Sequence, residues 1–294
     1  MRYRIIKFLH KYVRMIKSNP RLKRLNYSNP KFELIHIEVH SYCNRTCWYC
    51  GNSYINRKFR KYLPEETFLK VLNDLAKINY KGIMAFTGFN EPLADEIIFT
   101  RLNQAKRLLP KVTYWMNTNS DYLDMVVLWR LEKLGLNLLN IQLYDGKDKA
   151  HIIASKLQIK IKQTINEPDW VEYTSRYRSL KIRLYWQDFT KTGTTRGDIK
   201  INNSKRNSPC MQPFYATYIH YNGDVMPCCN MRPEENKSLG NVNKESILNI
   251  WMNKKYLKFR EKVFTYDVKK DVCKDCQFDL IYDNKINRML IKKR

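Results

Sequence analysis

The chain contains 294 residues, 44% hydrophobic and 13% aromatic, which suffices to bury the core of one large domain or of one domain with a small appendage. This composition excludes a disordered chain, and no apolar run approaches the roughly 18 residues that a transmembrane helix needs. The formal net charge of +26 invites a nucleic-acid-binding function, but the excess is dispersed over Lys- and Asn-rich segments, which indicates a solvated surface. We therefore expect no nucleic-acid partner.

Basic charge is concentrated at the N-terminus, in residues 1–31. Apolar residues recur there at helical spacing with basic residues between them, which predicts an amphipathic helix, and Pro20 and Pro30 mark a linker into the core. In the simplest interpretation this helix packs on the body of the protein. The alternative is a peripheral contact with an anionic membrane surface, nucleic acid or a partner. Because basic residues interrupt the first apolar stretch, we identify no signal peptide and expect a cytoplasmic protein.

From Phe32 to about residue 205, strand-like and helix-like segments alternate, as in an α/β fold with a parallel sheet. The connection 145–155 is too short for a full crossover helix. We predict helices at 65–79, 94–109 and 121–134, the first begun by Pro64 and the third by Ser120 or Asp121. The predicted strands are 33–40, 82–87, 111–118, 137–144, 156–162 and 180–187.

Several of these strands have one apolar and one polar face. A parallel sheet covered by helices on both faces has continuous apolar runs instead. The alternation therefore favours an open barrel, with helices outside and a wet, ligand-sized lumen inside, over a half-exposed antiparallel sheet that leaves the helices unexplained. The predicted lumen faces are His36, Glu38 and His40; Asn140, Gln142 and Tyr144; Gln158, Lys160 and Lys162; and Arg183, Tyr185 and Gln187.

After about residue 205 the pattern changes to a hairpin and a helix. Strand-like residues 215–221 and 224–228 flank Asn222-Gly223, which predicts a type I′ turn, and a helix follows at about 245–264. Five cysteines in this part of the chain indicate a small module that cysteines hold together. We thus expect a leader of residues 1–31, a barrel of residues 32–205 and a C-terminal module of residues 206–294.

Three cysteines, Cys43, Cys47 and Cys50, share a loop directly after the first predicted strand. In a reducing compartment, metal ligation explains them better than disulfides do. Three thiolates can hold three irons of a [4Fe-4S] cluster and leave the fourth iron open. The alternative is a structural zinc site, which needs four ligands and would have to use His40 as the fourth.

The CX3CX2C spacing, with Tyr49 before the last cysteine, resembles the radical S-adenosylmethionine (SAM) superfamily. The resemblance covers residues 33 to about 200. It implies a partial (β/α)6 TIM-like barrel in which the open iron chelates SAM, and in which reductive cleavage converts SAM to a 5′-deoxyadenosyl radical.

Other segments match the family one position at a time. Residues 87–93 look like its Gly-Gly-Glu-Pro segment beside the SAM amino group, but Asn90 replaces the second glycine, and we expect asparagine to tolerate left-handed backbone there. A second segment, residues 117–120, is similar to the family's Thr-Asn-Gly segment, which lies near the SAM ribose or carboxylate. Ser120 stands in place of the glycine. The resemblance thus assigns SAM binding to Tyr49, Gly88, Asn90, Glu91, Asn117, Asn119 and Gln142.

The late cysteines include a complete set of four ligands, which suits zinc or a [4Fe-4S] cluster equally well. The spacing of these cysteines around Gly223 and the sequence from Leu239 to Trp251 resemble the SPASM/twitch extension of radical SAM enzymes. The resemblance is to the form of this extension that carries one auxiliary [4Fe-4S] cluster. Cys229 is not needed for this set of four. It is either a buried residue of the core or the ligand in place of Cys228. The expected ligands are Cys210, Cys228, Cys273 and Cys276.

A closed auxiliary cluster cannot bind SAM, so we expect it to accept an electron from a substrate radical or to deliver electrons. The family includes an alcohol dehydrogenase acting on an aminocyclitol, and we expect a similar oxidation of an anionic sugar-like molecule, since Lys160, Lys162 and Arg183 would place three cations in the lumen. The candidates for the deprotonating base are Glu38, His40, Tyr144 and Tyr185.

Two other functions remain open at this stage. One is a maturase that modifies or crosslinks a peptide or protein by radical chemistry. The other, from a different class, is a zinc-containing protein that binds nucleic acid through its basic surface. A radical SAM enzyme also needs a reductant, such as flavodoxin or ferredoxin, as a partner.

Overall fold

The computed structural model describes residues 32–53, 55, 57–190, 206, 209–265, 267–274 and 276. The predicted leader, with its amphipathic helix and linker, lies outside these residues. In chain order the strands are β1 (Leu34–Ile37), β2 (Ile83–Phe86), β3 (Thr113–Thr118), β4 (Leu138–Gln142), β5 (Gln163–Glu167), β6 (Trp170–Tyr177), β7 (Leu180–Gln187), β8 (Ala216–Ile219), β9 (Asp224–Met226) and β10 (Gly240–Asn241).

Within the described residues these strands form one sheet, in the order β10-β9-β8-β1-β2-β3-β4-β7-β6-β5. The six central strands, from β8 to β7, run parallel to their neighbours, and antiparallel strands extend the sheet at both ends. The two ends do not pair with each other, so the barrel is open. The prediction of an α/β partial barrel is confirmed.

Helices connect the parallel strands and cover one side of the sheet. Glu65 and Glu66 lie in the first turn of the first helix, where carboxylates favour the helix dipole, and Asp124 caps the third by accepting a hydrogen bond from the Val127 N–H. The helices are α1 (Glu65–Lys77), α2 (Ile97–Leu108), α3 (Met125–Lys133), α4 (Lys149–Lys156), α5 (Gln212–Tyr215), α6 (Ile247–Met252) and α7 (Lys254–Phe264). None of the described helices is long and apolar enough to cross a bilayer.

The apolar faces of the strands pack against these helices and form the main core. Ile35, Ile37, Leu139 and Ile182 are each at most 1% exposed and belong to one hydrophobic cluster with the helices. The polar faces point the other way, into the lumen. The prediction from alternating residues is therefore confirmed for β1, β4 and β7, since burying only one face leaves the opposite face free to bind a ligand.

The predicted strand at 156–162 is wrong. Helix α4 runs to Lys156, and the antiparallel strands β5 and β6 follow, so β7 takes the place beside β4. Leu157 and Ile159 are buried because they close the end of α4 against the core. Lys160 and Lys162 are exposed and do not reach the lumen. The connection 145–155 does contain a helix, although only a short one.

The C-terminal region continues the same sheet. Strand β8 pairs with β1, for example Ile37 with Ile219, which covers an edge that would otherwise expose unpaired backbone groups. The predicted hairpin forms, but Gly223 has a positive φ of 84° and Asn222 does not, so the turn is not type I′. The Gly223 N–H donates to the His220 carbonyl. The predicted helix at 245–264 is two helices that meet at Asn253, which caps the second.

Candidate active site

A pocket opens at the carboxyl ends of the parallel strands. Its lining includes all three early cysteines and polar side chains of β1, β3, β4, β7 and β8. Within the described residues, Asn90 Oδ1, Trp115 Nε1, Asn140 Oδ1 and His220 Nε2 are buried and lack hydrogen-bond partners. Their residues all line this pocket. Buried polar atoms in native proteins usually have partners, so these four atoms are available to a polar ligand.

The loop after β1 carries Cys43, Cys47 and Cys50 into the pocket. Burial raises the pKa of the Cys43 thiol to about 12 and raises the pKa of Cys47, which a hydrogen bond with Tyr49 opposes. Thiols that are costly to ionise in a protein interior become thiolates when a metal binds them. The donor set thus fits a cation-rich centre, and the sulfurs of the loop would hold it.

His40 does not complete this set. Its Nδ1 accepts a hydrogen bond from the Tyr42 N–H at 3.2 Å, and its Nε2 lies 3.4 Å from the Pro92 carbonyl oxygen. Among the described residues, no group of three or more His, Cys, Asp or Glu side chains is placed to hold a single metal ion. These contacts contradict a zinc site that uses His40. The three thiols fit the [4Fe-4S] cluster with one open iron.

Arg45 fastens the cysteine loop to two neighbouring strand ends. Its guanidinium donates to Asp121, which follows β3, at 2.5 and 2.7 Å and to Asp145, which follows β4, at 2.9 Å. Asn44 adds a hydrogen bond to Asp121 at 2.6 Å. Charge-assisted, bidentate pairs of this kind restrict orientation as well as adding energy. Two residues within the CX3CX2C segment, Asn44 and Arg45, therefore hold the loop in place by binding carboxylates outside it.

Glu91 fastens the two segments that resemble SAM-binding segments to each other. One carboxylate oxygen accepts from the Thr118 hydroxyl at 2.7 Å and the Leu93 N–H at 3.1 Å, and the other accepts from the Asn119 N–H at 2.7 Å. Burial outweighs these bonds and raises the pKa of Glu91 to about 7. In this structure Glu91 positions the two loops.

The glycine replacements differ from the expectation. Asn90 does not adopt a positive φ, whereas Ser120, in place of the second segment's glycine, has a φ of 68°. Gly88 is required by close approach, because a Cβ on it would lie 2.3 Å from the Glu38 side chain. The departure that matters for backbone geometry is therefore Ser120, while Asn90 supplies a buried amide oxygen to the pocket.

The remaining predicted SAM contacts also line the pocket. Tyr49 stacks on Phe189 with centroids 3.8 Å apart and lies 5.5 Å from the Tyr144 ring. Asn117 donates to Thr87 Oγ1 at 3.1 Å and accepts from the Asn140 side chain at 3.0 Å, which makes a polar row across three strands. All seven residues of the predicted set thus surround this pocket: Tyr49, Gly88, Asn90, Glu91, Asn117, Asn119 and Gln142.

The four predicted bases are not equivalent. Tyr144 and Tyr185 line the pocket, whereas His40 does not. Glu38 is 1% exposed and is bound by Arg57, His220 and the Phe89 N–H. Although burial opposes ionisation, these partners lower the pKa of Glu38 to about 2. Its carboxylate is therefore a poor proton acceptor.

The lumen contains less positive charge than the sequence suggests. Of the three predicted cations, only Arg183 lines the pocket, since Lys160 and Lys162 are exposed on the connection before β5. Arg183 is paired with Glu172 on β6 at 2.6 Å. The prediction of three lumen cations is wrong. The expectation of an anionic ligand, which depended on these cations, therefore loses its basis.

A second cavity contains the late cysteines. Cys210, Cys228, Cys229, Cys273 and Cys276 line it together. Burial, and then repulsion from the neighbouring thiols, raises the pKa of Cys228, while the Asn230 side chain donates to the Cys276 sulfur at 3.1 Å. Thiols that converge in a buried space and accept N–H donors fit an iron-sulfur cluster, whose irons neutralise the thiolates.

Two residues join the two sites. Gln212 and Cys229 line both the pocket and the second cavity, so a single layer of side chains separates them. Gln212 also donates to the Tyr218 hydroxyl at 3.0 Å. Sequence analysis missed Gln212, Tyr218 and His220 as lining residues because it assigned them to a separate module. The alternation of Tyr218 and His220 on β8 would have been a usable signal, had β8 been paired with β1.

Comparisons with known proteins agree with this geometry. The model of the radical SAM superfamily matches residues 37–185, which is half of the chain, and the model of the SPASM iron-sulfur cluster-binding domain matches residues 210–277. These two matches imply SAM and [4Fe-4S] clusters as the cofactors. The two cysteine sites fall one within each matched segment.

A curated relative and two crystal structures cover most of the chain. The S-adenosyl-L-methionine-dependent 2-deoxy-scyllo-inosamine dehydrogenase of Niallia circulans is 26% identical over 250 residues, which are 83% of this chain and 92% of that protein. The crystal structure of BtrN in complex with AdoMet and 2-DOIA has a TM-score of 0.62 at 24% identity, covering 79% of this chain and 87% of BtrN. An open conformation of BtrN gives 0.60 at 23% identity, covering 84% and 92%.

Proposed function

The chain belongs to the radical SAM superfamily, and on that basis we propose that it oxidises a secondary alcohol of a sugar-like small molecule to a ketone. The observation that carries this proposal is the shared wall of Gln212 and Cys229, which places a second cysteine site directly behind the substrate pocket. A radical left on a carbinol carbon must lose one electron and one proton to become a carbonyl group. A closed cluster behind this shared wall is suited to take the electron.

When bound, the cofactors supply a 5′-deoxyadenosyl radical from SAM at Cys43, Cys47 and Cys50, and an electron acceptor at Cys210, Cys228, Cys273 and Cys276. The protein itself positions the loops and the ligand. Arg45 and Glu91 hold the loops around the first site, and the row of Asn117 and Asn140 offers amide groups to a ligand. Aromatic rings of Tyr49 and Tyr144 border the same space.

The lumen favours a neutral or amino-bearing polyol over an anionic sugar. Arg183 is neutralised by Glu172, and the other side chains that face the pocket from β3, β4 and β7 are mainly amides and aromatic rings. Such groups form hydrogen bonds with hydroxyl groups and stack on sugar rings. The substrate named for the relative, 2-deoxy-scyllo-inosamine, has this chemistry. The peptide-modifying alternative lacks comparable support. The alternative of a zinc-containing, nucleic-acid-binding protein is not favoured, because the chain belongs to the radical SAM superfamily.

The partners and location remain part of the proposal. We expect flavodoxin or ferredoxin to supply the reducing electron, because SAM cleavage needs one. A reducing cytoplasm is consistent with eight cysteines that form no disulfide in the structure. We propose the same division into a leader, a barrel of residues 32–205 and a C-terminal module, with one sheet running through the barrel and the module. Contact of the leader with a membrane surface is retained only as an expectation.

The test is anaerobic reconstitution followed by turnover. We expect roughly eight irons per chain, and 5′-deoxyadenosine with a ketone when the reduced protein receives SAM and 2-deoxy-scyllo-inosamine. With the ring carbons of that alcohol deuterated, 5′-deoxyadenosine should carry deuterium. Cys43→Ala should abolish both products. Iron-replete protein that cleaves SAM but neither removes deuterium nor forms a ketone would contradict the proposal.

A further inference from the structure

A buried chain of charged groups ends at the ring of His220, on the lumen side of the junction between β1 and β8. Arg57 donates to Glu38 at 2.9 Å, and the other oxygen of the Glu38 carboxylate lies 2.8 Å from His220 Nδ1. All three side chains are about 1% exposed. Glu38 and His220 are 182 residues apart in sequence, and the pairing of β8 with β1 brings them together.

The carboxylate fixes the tautomer of the imidazole ring. The pKa of Glu38 is lowered to about 2, so near neutral pH its oxygens only accept hydrogen bonds. Nδ1 must therefore carry the hydrogen of the bond to Glu38. In the neutral ring this leaves Nε2 with a free lone pair, which can accept a proton.

Nε2 of His220 forms no hydrogen bond with any of the described residues. It is buried, and the ring of His220 lines the substrate pocket. Phe89 lies beside the ring with its centroid 6.1 Å away and limits the ring's movement. An imidazole that lines a ligand site, with one nitrogen held by a carboxylate and the other without a partner, has the usual arrangement of a general base.

We propose that His220 is the base that removes the hydroxyl proton of the substrate, with Glu38 as its positioning residue. This inference rests on the proposed alcohol oxidation. Hydrogen transfer to the 5′-deoxyadenosyl radical breaks the C–H bond and leaves a carbon radical that bears the hydroxyl group. The O–H bond then breaks, its proton passes to Nε2, the C=O bond forms, and one electron leaves for the auxiliary cluster. Glu38 stabilises the imidazolium ion that results.

The main experiment separates hydrogen abstraction from completion of the oxidation. His220→Ala holoenzyme, supplied with ring-deuterated 2-deoxy-scyllo-inosamine, should still transfer deuterium to 5′-deoxyadenosine. Its ketone yield should fall about 100-fold, the usual loss when a general base is removed. Added imidazole should restore part of the yield. The matched control is His151→Ala, since His151 is exposed on α4, and its yield should equal that of the wild type.

A second readout does not depend on turnover. The chain has five histidines, so spectra of the full-length holoenzyme labelled with 15N-histidine, its clusters oxidised, can be assigned by single substitutions. We expect His220 to carry its hydrogen on Nδ1. A hydrogen on Nε2 in the neutral ring, or a His220→Ala variant with an unchanged ketone yield, would overturn the role of His220. If instead the wild type transfers no deuterium, the proposed oxidation fails, and the tautomer still decides whether His220 is built as a base.

Discussion

The carboxylate of Glu91 accepts a hydrogen bond of 2.7 Å from the backbone N–H of Asn119, which joins the loop after β2 to the loop after β3. Both residues belong to segments that resemble SAM-binding segments of the family. Their contact means that the two loops form one unit, and that a change in one is felt in the other. A buried carboxylate at such a junction also makes the unit sensitive to pH.

We expect the free energy of unfolding to fall as the pH rises through neutrality because of Glu91. Its pKa is raised from 4.5 to about 7 in the folded chain, so the folded state holds the proton more tightly. This contribution is complete below pH 4.5 and is lost as the pH rises through about 7, with an upper limit of roughly 3 kcal/mol. Urea unfolding of the cluster-free chain at about pH 5 and about pH 8 measures it. Glu91→Gln cannot titrate, so wild-type stability relative to this variant should decrease between the two conditions. An equal difference at both would refute the prediction.

We expect Ser120→Gly to stabilise the fold. Ser120 has a φ of 68°, a left-handed conformation that glycine adopts without the steric cost of a Cβ. The gain should be roughly 0.5 kcal/mol, measured by urea unfolding, because glycine also increases the entropy of the unfolded chain. Ser155→Gly is the matched control, since Ser155 is exposed within the helix α4, and there the same change should destabilise by roughly 0.5 kcal/mol. Loss of stability in both variants would mean that Ser120 is not strained.

Sequence reasoning succeeded where the signal is local. The cysteine spacing and the alternation of residues along β1, β4 and β7 each depend on neighbours within one segment. The spacing predicted the family that the comparisons show, and the alternation predicted which side chains face the lumen. The alternation at 157–162 was misleading because Leu157 and Ile159 are buried by the end of a helix and the following connection. A strand needs a partner as well as a pattern, and the pairing with β6 begins only at Lys162 and Gln163, beyond the apolar positions Leu157 and Ile159.

Long-range pairing was beyond the sequence. His220 and Glu38 are 182 residues apart, and nothing near either of them indicates that β8 lies beside β1. The same pairing brings Gln212 and Tyr218 to the pocket. For this reason the sequence identified the cysteines but proposed Glu38, whose carboxylate is already occupied, as a base. Our proposal assigns this role to His220, which Glu38 holds.

We expect Arg45→Gln to weaken retention of the first cluster without unfolding the chain. Arg45 joins the cysteine loop to Asp121 and Asp145 through charge-assisted hydrogen bonds. Partners that orient metal ligands typically contribute about ten-fold or more to metal retention, so iron should pass to a chelator about ten-fold faster. Higher ionic strength should reduce the difference, since these groups are partly exposed.

The control for Arg45 is Arg130→Gln. Arg130 also forms a bidentate pair, with Glu96, but it lies on the surface of α3. Removal of this pair should leave the rate of iron loss at the wild-type value. If both variants lose iron at the same increased rate, the effect is a general loss of stability and the specific role of Arg45 is refuted.

The adjacent residues Cys228 and Cys229 should differ in their effect on the auxiliary cluster. The Cys228 thiol lies among Cys229, Cys273 and Cys276, where ionisation is costly unless irons neutralise the charge, whereas Cys229 also borders the substrate pocket. Cys228→Ser should therefore lose roughly four irons per chain and retain the first cluster, with 5′-deoxyadenosine still formed but ketone lost. Cys229→Ser should keep all of its iron. Iron analysis and electron paramagnetic resonance of the reduced proteins would measure this, and the reverse result would make Cys229 the ligand.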